Sequence, residues 1–142
     1  SEMRPFEVTS VVYAGFVSAA LDDYPLETCG LVAGPTAPGG GPGATGRIWD
    51  PCRNDADSAR IYTINPQDYM RAEQDADDRD WEINAVVHSH THSEPYPSPT
   101  DVDAAVSPDW HYVIVSLKRE APEVRSYRIV DGGIVTEPVV VV

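Results

Sequence analysis

The sequence predicts a mixed α/β fold, a central sheet flanked by two to three helices. Valine outnumbers leucine 18 to 4, and β-branched side chains suit a pleated sheet better than a helix. Short β-rich runs recur along the chain between Gly, Pro, Asn and Asp turn signals. Few stretches combine helical spacing with an N-cap. The 142 residues read as one domain, 1–142, long enough to bury about two thirds of its unfolded surface without a disulfide scaffold.

The first helix runs from Thr9, a cap residue, to about Asp22, with Val12, Phe16, Ala19 and Ala20 at helical spacing and Pro25 ending the run. Leu26–Gly34 is an apolar run of buried-strand type. Residues 35–46 are nearly all Gly, Pro, Ala and Thr, a composition that buries too little surface to order itself, and they read as a flexible loop. Residues 47–53 and 58–64 read as a strand hairpin around Asn54–Asp57. Asn65-Pro66 opens a second helix, to about Asp80, with Asn65 as N-cap and Pro66 at the first helical position. Its acidic residues, Glu73, Asp75, Asp77, Asp78 and Asp80, read as a solvated face. Ile83–His90, His111–Leu117, Val124–Val130 and Ile134–Val142 are further strands, the last two joined by an Asp131-Gly132-Gly133 turn.

Ten basic against 23 acidic residues leave a net charge of −13, a field that repels phosphate backbones and anionic lipid. Nucleic acid and membrane surfaces are therefore not expected as partners. No apolar run approaches the roughly 18 residues of a membrane span, and Ser1–Ser10 lacks the apolar stretch that secretion uses. Cys29 and Cys52 are the only cysteines, which suits reduced thiols and a cytoplasmic location. Ser1-Glu2, ahead of Met3, reads as a cloning remnant.

Chemistry concentrates where the fourth expected strand ends. Three of the four histidines, His88, His90 and His92, lie within five residues. On a strand, residues i and i+2 share a face, so His88 and His90 can grip one ion. A catalytic zinc site takes three protein ligands and leaves a fourth position open, so a carboxylate is wanted. Ser98-Pro99-Thr100-Asp101 reads as a helix start, with Ser98 as N-cap and Asp101 at the third position. Capping alone would explain both residues. The seven residues between His90 and Ser98 are nevertheless long enough to turn that helix start back over the strand end.

The order His-x-His, seven residues, Ser, two residues, Asp resembles the JAMM motif of the MPN-plus metallopeptidases at all four defined positions: His88, His90, Ser98 and Asp101. The family also places a glutamate upstream in an E-x-x-G context, which Glu27 in Leu26-Glu27-Thr28-Cys29-Gly30 fits. The resemblance implies a JAMM/MPN-like, cytidine-deaminase-like layered fold. It implies one Zn(II) per chain held by His88, His90 and Asp101, with Glu27 moving protons and Ser98 steadying the oxyanion. Such enzymes cut after the C-terminal Gly-Gly of ubiquitin or a ubiquitin-like protein. This short chain has no room for the insertions of the eukaryotic deubiquitinases and is most similar to the bacterial Mec-type peptidases, which release cysteine from the sulfur carrier CysO. A CysO-like carrier is the implied substrate. Another ubiquitin-like processing isopeptidase, or a non-catalytic metal-binding or scaffold MPN domain, are the alternatives.

Other chemistries fit less well. Cys29 lies inside an apolar run, where a buried, inert thiol is the ordinary outcome. Cys52 lacks the P-C-x-x-C and H-x-E context of a zinc deaminase, and the H-E-x-x-H helix of other zinc peptidases is absent. His92 is expected at the rim of the cleft rather than on the ion, and His111 and the three tryptophans are expected to pack.

Overall fold

The computed structural model describes residues 4–105 and 107–142, so the expectation for Ser1-Glu2 lies outside the described residues. The order of elements is β1 (Phe6–Val8), α1 (Ser10–Asp23), β2 (Cys29–Pro35), β3 (Thr45–Gly46), β4 (Ile48–Cys52), α2 (Pro66–Asp78), β5 (Trp81–His90), α3 (Pro99–Ala104), β6 (His111–Ser116), β7 (Glu123–Val130), β8 (Gly133–Glu137) and β9 (Val139–Val141). Among the described residues, no helix is long and apolar enough to cross a membrane.

Both long helices start as their sequences dictate. The Thr9 hydroxyl accepts the Val12 amide at 3.2 Å, and the Asn65 side chain accepts the Asp68 amide at 3.0 Å with Pro66 just behind it. Each satisfies an amide that the first helical turn leaves without a partner.

A six-stranded mixed sheet, ordered β4-β2-β5-β6-β7-β8, forms the centre. Its one parallel pair is β5–β6, whose crossover contains α3, and the remaining neighbours are antiparallel. Alternation of side chains splits the core into two layers. On one face Ala85, Val87, Val113 and Val115 meet Val12, Phe16 and Ala20 of α1. On the other, Val86, Tyr112 and Ile114 meet Ala72 and Ala76 of α2. Phe16 is fully buried, and its truncation to Ala would cost about 3–5 kcal/mol.

Four expectations need correction. A three-stranded sheet, β3-β1-β9, was not anticipated; β1 pairs in parallel with both neighbours, and a three-residue strand carries too short a pattern to stand out. Residues 35–46 are more ordered than their composition suggests, because Thr36 bridges Pro42 and the stretch ends in β3. The expected strand 58–64 does not form. Only an isolated Asn54–Ile64 bridge survives, because the Asn54 side chain takes the Ala56 and Thr63 amides and folds the intervening residues into a loop. The expected strand 134–142 is two strands in different sheets, β8 and β9, divided at Pro138, which has no amide to donate to a ladder.

Candidate active site

The C-terminal end of β5 delivers both histidines to one face. Val86, His88 and His90 alternate with Val87 and Ser89, so the imidazoles continue the side that Val86 contributes to the α2 layer. The helix start at Ser98 then brings Asp101 across. His88 Nε2 is 3.1 Å from His90 Nε2, and Asp101 Oδ2 is 3.2 Å from the first and 3.1 Å from the second. Tetrahedral zinc with bonds of 2.0–2.1 Å would space its ligand atoms about 3.3 Å apart.

The tautomers also suit a cation. His90 Nδ1 lies 2.8 Å from the Glu94 carbonyl and donates its proton there, which leaves Nε2 with a lone pair in the neutral ring. Three electron-rich atoms then face one another, and a single proton can lie on only one of the three lines between them. An ion at their centre satisfies all three, so the residues present fit a divalent metal. Burial pushes the His88 pKa down, against the pull of Asp101. For His90, burial acts the same way but is outweighed by Asp101 and the Glu94 carbonyl, and the pKa rises. Burial alone would raise the Asp101 pKa, yet its hydrogen bonds to His88 and His90 hold it well below the carboxylate range.

Glu27 reaches the site through strand register. Cys29 lies opposite His88, and the Ser89 amide donates to the Thr28 carbonyl at 3.1 Å. Two residues further on, Glu27 falls beside His90 on the same face. It is 3% exposed, and its Oε1 has no hydrogen-bond partner among the described residues. Burial pushes its pKa up to about 7, with His90 lowering it and Asp101 raising it by smaller amounts. The E-x-x-G spacing has a packing cause. A Cβ at Gly30 would collide with the Trp49 indole and come within 2.6 Å of the Asp50 carbonyl, so only glycine lets β4 lie this close.

Ser98 and Asp101 cap each other. The Ser98 hydroxyl accepts the Asp101 amide at 3.1 Å, and Asp101 Oδ2 accepts the Ser98 amide at 2.9 Å. Because the Ser98 oxygen acts as acceptor there, its proton stays available to a bound group. Glu27, His90 and Ser98 line one cavity of about 370 Å³.

Several contributors carry no sequence signal. The Tyr62 ring stacks on His88 with centroids 4.4 Å apart and planes inclined by 22°. The Thr91 hydroxyl donates to the Ala59 carbonyl at 3.0 Å. The 91–98 loop that presents the Glu94 carbonyl is held by Ser116 Oγ donating to Ser93 at 2.6 Å and by the Tyr127 hydroxyl donating to Pro95. These contacts join residues distant in sequence, and no local spacing announces them.

The bystanders fall where expected. His92 lies outside the three-residue group, its Nε2 3.3 Å from the Tyr24 hydroxyl and its Nδ1 2.9 Å from that of Thr91. His111 is structural, with Nδ1 2.6 Å from the Glu137 carboxylate and its ring stacked 4.1 Å from Phe6. Both cysteines are free, and burial pushes each thiol up to about 12, far from a thiolate nucleophile.

A family described as prokaryotic homologs of the JAB domain matches residues 9–130. The CysO-cysteine peptidases of Mycobacterium bovis and Mycobacterium tuberculosis are 40% identical over 127 residues, which cover 89% of this chain and 84% of theirs. The solution structure of a Desulfitobacterium hafniense protein superposes with a TM-score of 0.78 at 25% identity, covering 96% of this chain and 92% of that one. The crystal structure of a JAB1/MPN domain protein from Archaeoglobus fulgidus shares the fold, with a TM-score of 0.56 at 16% identity over 94% of this chain and 98% of its own. The chain thus belongs to the prokaryotic JAB-domain family and is a peptidase of the JAMM type.

Proposed function

We propose that this peptidase hydrolyses the bond between the C-terminal glycine of a ubiquitin-like sulfur carrier and a cysteine, releasing cysteine and the free carrier. The reading takes residues 1–142 as one catalytic domain with a single Zn(II), working in the cytoplasm, where both thiols stay reduced. His88, His90 and Asp101 are the metal ligands. Bound there, zinc would supply a water acidified to near neutrality and a Lewis acid for the carbonyl.

Glu27 takes a proton from the attacking water and passes it to the leaving amine, so hydroxide ends on the glycine carbonyl carbon and the amine departs neutral. Its Oε1, without a hydrogen-bond partner among the described residues, is free for that transfer. Ser98 donates its hydroxyl proton to the carbonyl oxygen as negative charge develops there, a contribution of about 2.7–4 kcal/mol where comparable donors have been removed. The carrier tail lies extended along a strand edge, because a Gly-Gly sequence offers only backbone to hold.

The observation that carries this reading is the convergence of His88, His90 and Asp101 beside a buried Glu27 whose Oε1 has no hydrogen-bond partner among the described residues. The likeness to the mycobacterial CysO-cysteine peptidases supports the choice of substrate. Metal analysis, together with cleavage of a carrier–cysteine adduct by wild type and Glu27→Gln, tests it. Zinc near one per chain and a loss of about 10²- to 10⁴-fold in kcat for the variant are expected. A Glu27→Gln enzyme as fast as wild type would overturn the assignment of the base.

A further inference from the structure

The 58–62 segment is fastened over the site at three points. The Ser58 carbonyl accepts the Glu27 amide at 2.9 Å, the Ala59 carbonyl accepts the Thr91 hydroxyl, and Tyr62 covers His88. Between them the Ser58 hydroxyl accepts the amides of Arg60 and Ile61 at 3.0 and 3.3 Å and turns the backbone. Arg60 is thereby set in the wall of the cavity that holds Glu27, His90 and Ser98, and among the described residues it is the only arginine or lysine lining it.

Six of the ten basic side chains are held by acidic ones. Arg53, Arg71, Arg79, Lys118, Arg119 and Arg125 each pair with a carboxylate. Arg60, like Arg4, Arg47 and Arg128, has no carboxylate partner among the described residues, but of these four it alone lines the cavity of Glu27, His90 and Ser98. A guanidinium offers a planar fork of donors matched to a carboxylate. A departing amino acid carries such a carboxylate two bonds from the nitrogen being released, whereas an isopeptide-linked lysine carries none at that position.

We propose that Arg60 binds the α-carboxylate of the departing amino acid, so that the enzyme selects carrier adducts ending in one free amino acid over amidated or isopeptide-linked ones. The inference rests on the peptidase reading above and specifies the leaving-group half of its substrate.

The test is kcat/KM for wild type, Arg60→Gln and Arg60→Lys on the carrier ligated at its terminal glycine to cysteine or to cysteine amide. Wild type is expected to favour the free carboxylate by about 10- to 100-fold, as for a hydrogen bond between charged groups, chiefly through KM. Arg60→Gln should bring the two substrates close to parity, and Arg60→Lys should restore part of the preference. Equal rates on both substrates with wild type, or a preference that survives Arg60→Gln, would overturn the role of Arg60 while leaving the peptidase reading intact. Cleavage of neither substrate by wild type would overturn both.

Discussion

Asp101 Oδ2 sits 2.9 Å from the Ser98 amide and 3.1 Å from His90 Nε2. One oxygen thus closes a helix cap and completes the histidine group. Asp101→Asn keeps a side chain that can still accept the Ser98 amide but removes the charge facing the histidines. Metal affinity should fall by at least about 10- to 100-fold, beyond the effect of losing an outer partner, while the melting temperature of the metal-stripped protein changes little. Zinc retained after dialysis against a competing chelator, and thermal unfolding of the stripped protein, measure the two effects separately.

Ser98→Ala removes the other half of the cap. A lost N-cap costs about 1 kcal/mol, which for a chain of this size lowers Tm by roughly 3–5 °C. Zinc should stay bound, since Ser98 is not among the three converging residues that could hold the ion. Turnover should fall by about 10²- to 10³-fold if its hydroxyl serves the oxyanion. Ser98→Asp discriminates the roles, because aspartate caps well without offering a hydroxyl. Recovered Tm with turnover still low assigns the rate effect to the hydroxyl; recovery of both would make Ser98 a cap and nothing more.

Glu27 makes the stability of the metal-stripped protein depend on pH in an unusual direction for a carboxylate. Its folded pKa is raised from the ordinary 4.5 to about 7 by burial, so between these values the native state holds a proton that the unfolded chain releases. The contribution is fully present below pH 4.5 and is lost as pH rises through 7. In chelator, the difference in unfolding free energy between Glu27→Gln and wild type should widen in favour of the variant across that window. Parallel curves would show that Glu27 titrates normally.

The thiols should prove chemically quiet. With both pushed up to about 12 by burial, neither forms appreciable thiolate at pH 8. Native protein should resist iodoacetamide at that pH, with peptidase activity unchanged and label entering only after denaturation. Rapid inactivation by alkylation, prevented by Cys29→Ser, would instead identify a working thiol at Cys29.

How much the sequence disclosed follows the range of the interactions. His88 and His90 could be placed on one face because strand periodicity is local, and the pairing of Ser98 with Asp101 because a capping box spans four residues. Both helix starts, at Thr9 and Asn65, were legible for the same reason. Glu27 needed the family motif, since the register that brings it beside His90 joins separate strands. Tyr62, Thr91 and the Glu94 carbonyl were invisible, because their partners lie far away or act through backbone atoms. The 58–64 stretch misled for a related cause. Its β-forming Ile61, Tyr62 and Thr63 suit a strand, but the Asn54 amide and the anchors to Glu27 and Thr91 compete successfully for its backbone.

The pairing of β1 with β9 sets an order of events on the ribosome. Phe6 and Val8 are fully buried, and Val139–Val141 form one of their two flanking strands. The Val142 amide donates to the Val8 carbonyl at 2.9 Å, and the Val142 carbonyl accepts the Ser10 amide at 3.2 Å. Translation at about 5–20 residues per second leaves β1 waiting roughly 7–25 s for that strand. The six-stranded sheet, including the histidine strand, can assemble during this interval, but the small sheet must close last. Phe6 and Val8 therefore stay open to chaperone capture until β9 has been made.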